Sequence, residues 1–547
     1  MAGMHSFLRL LLLFAVLPVF AQAPAVIAPE RLGTVSFSVS CAASSQVPFN
    51  RGVALLHDFW YEEARPQFER ILVSDPHCAM AHWGVAMSVF HQIWDRPNAE
   101  SIALGWKQMQ QAQALPVKTE RERTYIAALA DFYRPGPQDY PARIAAYSDA
   151  MGKLYASHPQ DVDAGAFYAL SLLAAAPSGN TSLAYEHKAM AVLTPLFAQY
   201  PDNPGIDHYI VHACDNPAMA ADGLVAADHY LAIAQSGPHA YHMPGHIYAR
   251  LGLWQKDIES QLGSIKAAQL AEAHNESGIM DEPHSYDFLL YAYLQTGQDV
   301  AAKQALRGIS QPLTMMEQMP GMGAGHMEGM VPYYRLKLAI FYSLERRDWQ
   351  SAAALEPLAG SPPQVSTMVY WARAIAHGRL DQPEFARQDI AHYDECIAEL
   401  KKGKHAYMAE GNSLTIQRNE MLSWAAYAQR NQAEALKTMR AAADLQDKVG
   451  QGEVDIPARE MLADLLFDFG KPQQALAEYE VALKLSPNRL NGLYNAGRAA
   501  EAVGDRRKAG AYYAALLKST GNGINSARPE FVHVRAFVSA SETAQKL

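Results

Sequence analysis

Two histidine pairs, each spaced H-x3-H, are the residues of this chain best suited to chemistry. His208 and His212 lie in PGIDHYIVHACDNP, and His242 and His246 lie in PHAYHMPGHIYAR. Residues i and i+4 share a helix face, so each pair directs two imidazoles the same way. Neutral imidazole is a ligand for zinc, copper, iron and nickel. The second pair follows the first by 34 residues, member for member, and that offset is the period of one helix–turn–helix repeat. Packed helices have axes roughly 8–10 Å apart, so pairs on neighbouring repeats can converge on one ion. Three or four of these histidines would form the site, with His239, His284 or Asp287 completing it. Asp215 or Asp287 would otherwise orient ring nitrogens from behind. Without a metal, the same imidazoles would be hydrogen-bonding contacts to a peptide or small ligand.

Neither HYIVH nor HMPGH carries the glutamate of H-E-x-x-H, the general base of metal peptidases. A zincin-type hydrolase is therefore disfavoured, and no Gly-rich phosphate loop or nucleophile elbow is present. Pro244 falls between the second pair of histidines and predicts a kink in its helix. Further along, six methionines (Met315, Met316, Met319, Met322, Met327 and Met330) and His326 fall within sixteen residues. Thioether and imidazole together favour copper over zinc or iron. A Gly/Met loop that packs over a groove explains the same run without a metal.

The elements that hold these residues must be helices, because no stretch alternates as a strand would. The 547 residues are 49% hydrophobic and 19% charged, ordinary for a globular chain, with a net charge of −10. That charge and the lack of a basic run argue against nucleic acid and against an anionic membrane surface. MHSFLRLLLLFAVLPVFAQA reads as a secretory signal peptide over residues 1–23, ending in an A-x-A pattern. No later stretch is long and apolar enough to span a membrane. The expected location is exported, either periplasmic or secreted. Export permits a disulfide, and Cys41 with Cys78 would flank the first repeat.

IPAREMLADLLFDFGKPQQALAEYEVALKLSPN and RLNGLYNAGRAAEAVGDRRKAGAYYAALL repeat one pattern of small, large and proline positions. These units resemble tetratricopeptide (TPR) repeats. With GVALLHDFWYEEA, DPHCAMAHWGVAMS, IDHYIVHACDNP, GPHAYHMPGHIYARLGLW and ERRDWQSAAAL, the whole chain resembles a family of exported bacterial TPR proteins. That resemblance brings no activity with it. It implies an all-α TPR superhelical solenoid of about twelve helix pairs. The expected organisation is a signal peptide at 1–23, a lead-in at 24–44 and an N-terminal TPR array with a His-lined groove at 45–311. A Met/Gly-rich insertion at 312–331, a C-terminal TPR array at 332–523 and a tail at 524–547 follow.

The resemblance implies that the first helix of each pair lines the concave groove. On that register His208, His212, His239, His242, His246 and His284 would face the groove with Asp287, Asp215 and Tyr291. His57 and His91 share the register but lie several repeats earlier, which makes them accessory unless the superhelix curls tightly. Two functions stand side by side. One is a metalloprotein holding a transition metal, with a metal-dependent oxidoreductase as its enzymatic form. The other is a scaffold without catalysis that binds a protein, a peptide or a small organic ligand in the groove.

Overall fold

Caps and prolines set where several of the repeats begin. Asn203 accepts the Gly205 backbone N–H at 3.0 Å and Pro204 takes the first helical position, which starts the Pro204–Cys214 helix. Ala220–Ile233 packs back against it. Pro238–Arg250 with Trp254–Ala273 forms the next pair, and Glu282–Gln295 with Asp299–Gly308 the one after. The computed structural model describes residues 30–546 apart from 94–95, 138, 178–180, 320–328, 404–405 and 524–525. Among them every regular element is a helix, and consecutive helices pack antiparallel into an all-α TPR superhelix. None of these helices is long and apolar enough to cross a membrane. The segment 1–23 read as a signal peptide lies outside the described residues.

The superhelix curls more tightly than an open groove requires, in two successive arcs. In the first arc, the Gln46–His57 helix of the first repeat packs directly on Pro204–Cys214 of the fifth. The lead-in closes this arc as an extended strap. Thr34 donates to the Asp202 carbonyl at 2.7 Å, and Gly33 to that of Ile233 at 3.1 Å. Phe37, fully buried, lies 5.0–5.5 Å from Phe49, Trp83 and Tyr125. Burying one phenylalanine stabilises by about 1.5–3 kcal/mol, so the strap is a fastener rather than a passive leader. Cys41 and Cys78 form a disulfide at the end of the strap.

The second arc closes on the sixth and seventh repeats. Trp254 Nε1 donates to the Asn488 carbonyl at 2.8 Å, and Gln295 Oε1 accepts from Leu490 N at 3.0 Å. Arg528 pairs with Asp299 at 2.6 Å. The tail, weakly patterned in sequence, becomes the Pro529–Lys546 helix, whose Phe531 and Val534 are fully buried. Each arc has its own apolar core, and both cores draw on Pro238–Arg250 and Trp254–Ala273. The histidines sit where the arcs meet.

Candidate metal centre

Six histidines from three successive first helices divide into two triads. His208, His212 and His239 bring one ligand atom each to within 4.8 Å of one another, and so do His242, His246 and His284. Ring centroids in the first triad are 4.6, 5.0 and 6.3 Å apart. In the second they are 4.8, 4.4 and 5.6 Å apart. The triads approach each other at His239 and His242, 6.1 Å between centroids. Each is backed by one phenylalanine. Phe59 lies 4.4–5.5 Å from all three rings of the first, and Phe288 lies 4.6–5.2 Å from those of the second.

Hydrogen bonding assigns the tautomers. His208 Nδ1 lies 2.6 Å from the His57 backbone oxygen, which can only accept. Nδ1 therefore carries the proton, and Nε2 is a bare lone pair, buried and without a hydrogen-bond partner. His212 Nε2 and His284 Nδ1 are likewise buried without a partner. Gln261 donates through its amide nitrogen to Asp257 at 2.9 Å, which turns its oxygen toward His242 Nδ1 at 2.7 Å. His246 Nδ1 donates to Asp215 at 2.9 Å. These contacts orient His208, His242 and His246 from behind, as hydrogen-bond partners of metal ligands do. His242 Nε2 and His246 Nε2 then face each other at 2.8 Å. Two lone pairs at that distance repel unless a proton or a cation lies between them.

Charge differs between the triads. Burial pushes His208 down to about 3 and holds His212 and His239 well below the usual imidazole range. It does the same to His242, and takes His284 to about 3. His246 is the exception: burial pulls it down, but Asp215 and Glu453 outweigh that and raise it to about 10. Its proton then fills the gap to His242. Four neutral imidazoles and one proton-bridged pair form a donor set suited to a cation. Tetrahedral coordination at about 2.0–2.1 Å needs ligand nitrogens roughly 3.3 Å apart, so the His242–His246 pair would open by about half an ångström.

Small residues make room for this wall. A Cβ on Gly245 would overlap the Gln261 amide, and one on Gly205 would overlap the His57 ring. Pro238–Arg250 runs as one continuous helix with Pro244 in its interior.

Several sequence expectations change. The H-x3-H pairs do not converge on one point, since each recruits a third histidine instead. His208, His239 and His242 are 0–4% exposed, so they line a closed interior rather than an open groove. Asp287 stands outside both triads and forms an ion pair with Lys337. Tyr291 is buried, donates to the Asp455 carbonyl at 2.7 Å and accepts from Arg489. Asp215 holds His246 and Arg250, in the orienting role. His57 does reach the centre, because the first arc curls, but as a buttress. Its ring bonds Tyr209 at 2.9 Å and Asp163 at 3.0 Å, and only its carbonyl touches a triad. His91 stacks on Tyr61 at 4.5 Å, outside both triads. Met316 packs in the second core, Met315 and Met319 are exposed, and Met330 opens the Met330–Glu345 helix. Met322, His326 and Met327 lie outside the described residues.

Sequence reasoning missed Phe59, Phe288, Gln261 and Glu453. Gln261 and Phe288 carried a signal, being one helix away and one turn past His284. Phe59 and Glu453 carried none, because only chain closure brings them in. Asp215, His246 and Glu453 also cluster, but Arg250 already lies 2.8–3.0 Å from both carboxylates and supplies the cation. A cavity of about 560 Å³ beside Arg121, Asp161 and Asp163 touches the His57 buttress through Asp163 and is lined by none of the six histidines.

No protein-family model matches this chain, and no curated protein does. Among solved structures it is similar to yeast Tom70, at 11% identity and a TM-score of 0.34, covering 92% of this chain and 96% of that one. It is similar to the human IFIT1 dimer with m7Gppp-AAAA at 14% identity and a TM-score of 0.34, covering 85% and 88%. The TPR domain of P58(IPK) matches at 14% identity and a TM-score of 0.23, over 71% of this chain and 100% of that one.

Proposed function

We propose that this chain is an exported bacterial metalloprotein on a TPR scaffold, binding a transition metal through histidines of its inner wall. The observation that carries this reading is the tautomer of His208. A backbone carbonyl holds its Nδ1 proton, and a buried Nε2 lone pair is left facing no donor. An unpaired buried polar group costs about 1–3 kcal/mol, and a metal ion would offset that penalty.

The donor set is all imidazole, which suits copper, zinc, iron and nickel. Copper stands first on intrinsic affinity for nitrogen sites, so we place it ahead of zinc and iron. Oxidoreductase chemistry is the catalytic form of this reading, since three histidines leave a metal with an open position. Export is supported by the N-terminal sequence and by the Cys41–Cys78 disulfide, a bond of oxidising compartments.

Metal analysis of protein purified from its own compartment tests the proposal. We expect stoichiometric copper or another transition metal. Less than about a tenth of an equivalent, with no uptake on titration, sinks it.

The second reading is a ligand-binding scaffold without catalysis. It is favoured by a cavity of about 390 Å³ lined by Tyr333, Lys337, Phe341, Met368 and Trp371 among others, aromatic enough for a peptide or small organic ligand. Peptide capture that survives a strong chelator would support it.

A further inference from the structure

We infer that the interior holds two metal ions, one in each histidine triad, rather than one ion shared among six imidazoles. This inference rests on the metal-binding reading above and concerns how many ions are bound and by which residues.

The first ground is distance. A metal bound to a ring nitrogen at about 2.0–2.1 Å lies roughly 3.2 Å from the ring centroid. Rings sharing one ion therefore have centroids within about 6.5 Å of each other. Every pair within His208, His212 and His239 meets this limit, at 4.6–6.3 Å. So does every pair within His242, His246 and His284, at 4.4–5.6 Å. His239 and His242 also meet it across the triads, at 6.1 Å, but among the described residues no third histidine closes a group with both. The three-histidine groups that close among the described residues are these two, and neither borrows a member from the other.

The second ground is that each triad has its own supply of bare nitrogen. In the first, His208 Nε2 and His212 Nε2 are buried and unpartnered. In the second, His284 Nδ1 is buried and unpartnered, and His242 Nε2, whose proton lies on Nδ1 toward Gln261, turns its lone pair to His246 Nε2 at 2.8 Å. A single ion in either triad would leave the other with orphaned nitrogens.

The third ground is separate support. His57 and Phe59 hold the first triad and belong to the first arc. Gln261, Asp215 and Phe288 hold the second, and Phe288 belongs to the second core. Each triad is thus positioned on its own. Each bound ion would have three protein ligands and keep a coordination position open for a small exogenous ligand.

The test is metal stoichiometry on the full-length protein, stripped with chelator, reloaded with copper(II) or cobalt(II), and gel-filtered. We expect two equivalents per chain. His212→Gln and His284→Gln, both partly buried ligands, should each retain one, and the double variant none. One equivalent in the wild type, lost in both single variants, means one shared ion: it overturns this inference and leaves the metal-binding reading standing. Two equivalents kept in both variants place the metal elsewhere and also overturn it. No uptake at all removes both readings. Circular dichroism confirms that the variants fold. If either does not, chelator extraction from the wild type decides: two equal phases support two sites, and a single one-equivalent phase does not.

Discussion

His208 donates its Nδ1 proton to the backbone carbonyl of His57, 151 residues earlier in the chain, at 2.6 Å. That bond spans the first arc and sets the tautomer of a buried imidazole. Fold and site are therefore coupled at that point, and perturbing one should be read in the other.

Gly205→Ala tests the coupling. Its Cβ would overlap the His57 ring, which must move and drag the carbonyl that holds His208. Overpacking of this kind costs about 1–3 kcal/mol. Urea denaturation should show that loss, and metal content should fall with it. Unchanged stability would mean the ring relocates freely.

Metal should stabilise the native state. A ligand at a hundred times its Kd adds about 2.7 kcal/mol per site. Thermal melts with and without copper should differ in the wild type, and the gap should shrink in His212→Gln. Equal gaps would remove His212 from the ligand set.

The metal-free protein should lose stability as pH rises above neutrality. Asp215 and Glu453 raise His246 to about 10 in the folded state, against an ordinary 6.5. A raised pKa contributes stability that is complete below the unfolded value and disappears as pH climbs through the folded one. The window is thus pH 6.5 to 10. Asp257 and Asp281, raised to about 8 by burial, slope the same way from lower pH. The comparison that isolates His246 is therefore wild type against His246→Gln. The variant's stability curve should be flatter between pH 6.5 and 10, and parallel curves would contradict the assignment.

The Cys41–Cys78 disulfide anchors the strap that carries Phe37. Closing a loop of this size stabilises by about 2–4 kcal/mol. Cys41→Ser with Cys78→Ser should lower the denaturation midpoint by a corresponding amount. It should also expose the strap to limited proteolysis. Identical midpoints with and without reductant would show that the strap holds by packing alone.

Arg489 is buried between Glu345 and Glu460, at 2.9 Å from each, and also donates to Tyr291. Arg489→Ala leaves two buried carboxylates without their cation, a loss of about 3–5 kcal/mol. Equilibrium unfolding measures it. Arg489→Ala with Glu460→Gln should recover part of the loss, whereas no recovery would assign it to packing.

The sequence by itself determined the helical repeat and the placement of the histidines on it. The 34-residue offset and H-x3-H spacing are local facts, and helix geometry converts them into shared faces and neighbouring helices without any tertiary information. His239 and His284 were legible in the same way. Tertiary structure alone decided how the six histidines divide, because that depends on how far the superhelix curls. Curvature is the sum of small packing angles over many repeats, and no single residue encodes it. The same curl brings His57 and Phe59 onto the first triad and Glu453 beside the second, across separations that no spacing rule spans. It also turns an expected open groove into a closed interior, in which burial keeps five imidazoles neutral and two carboxylates keep the sixth charged.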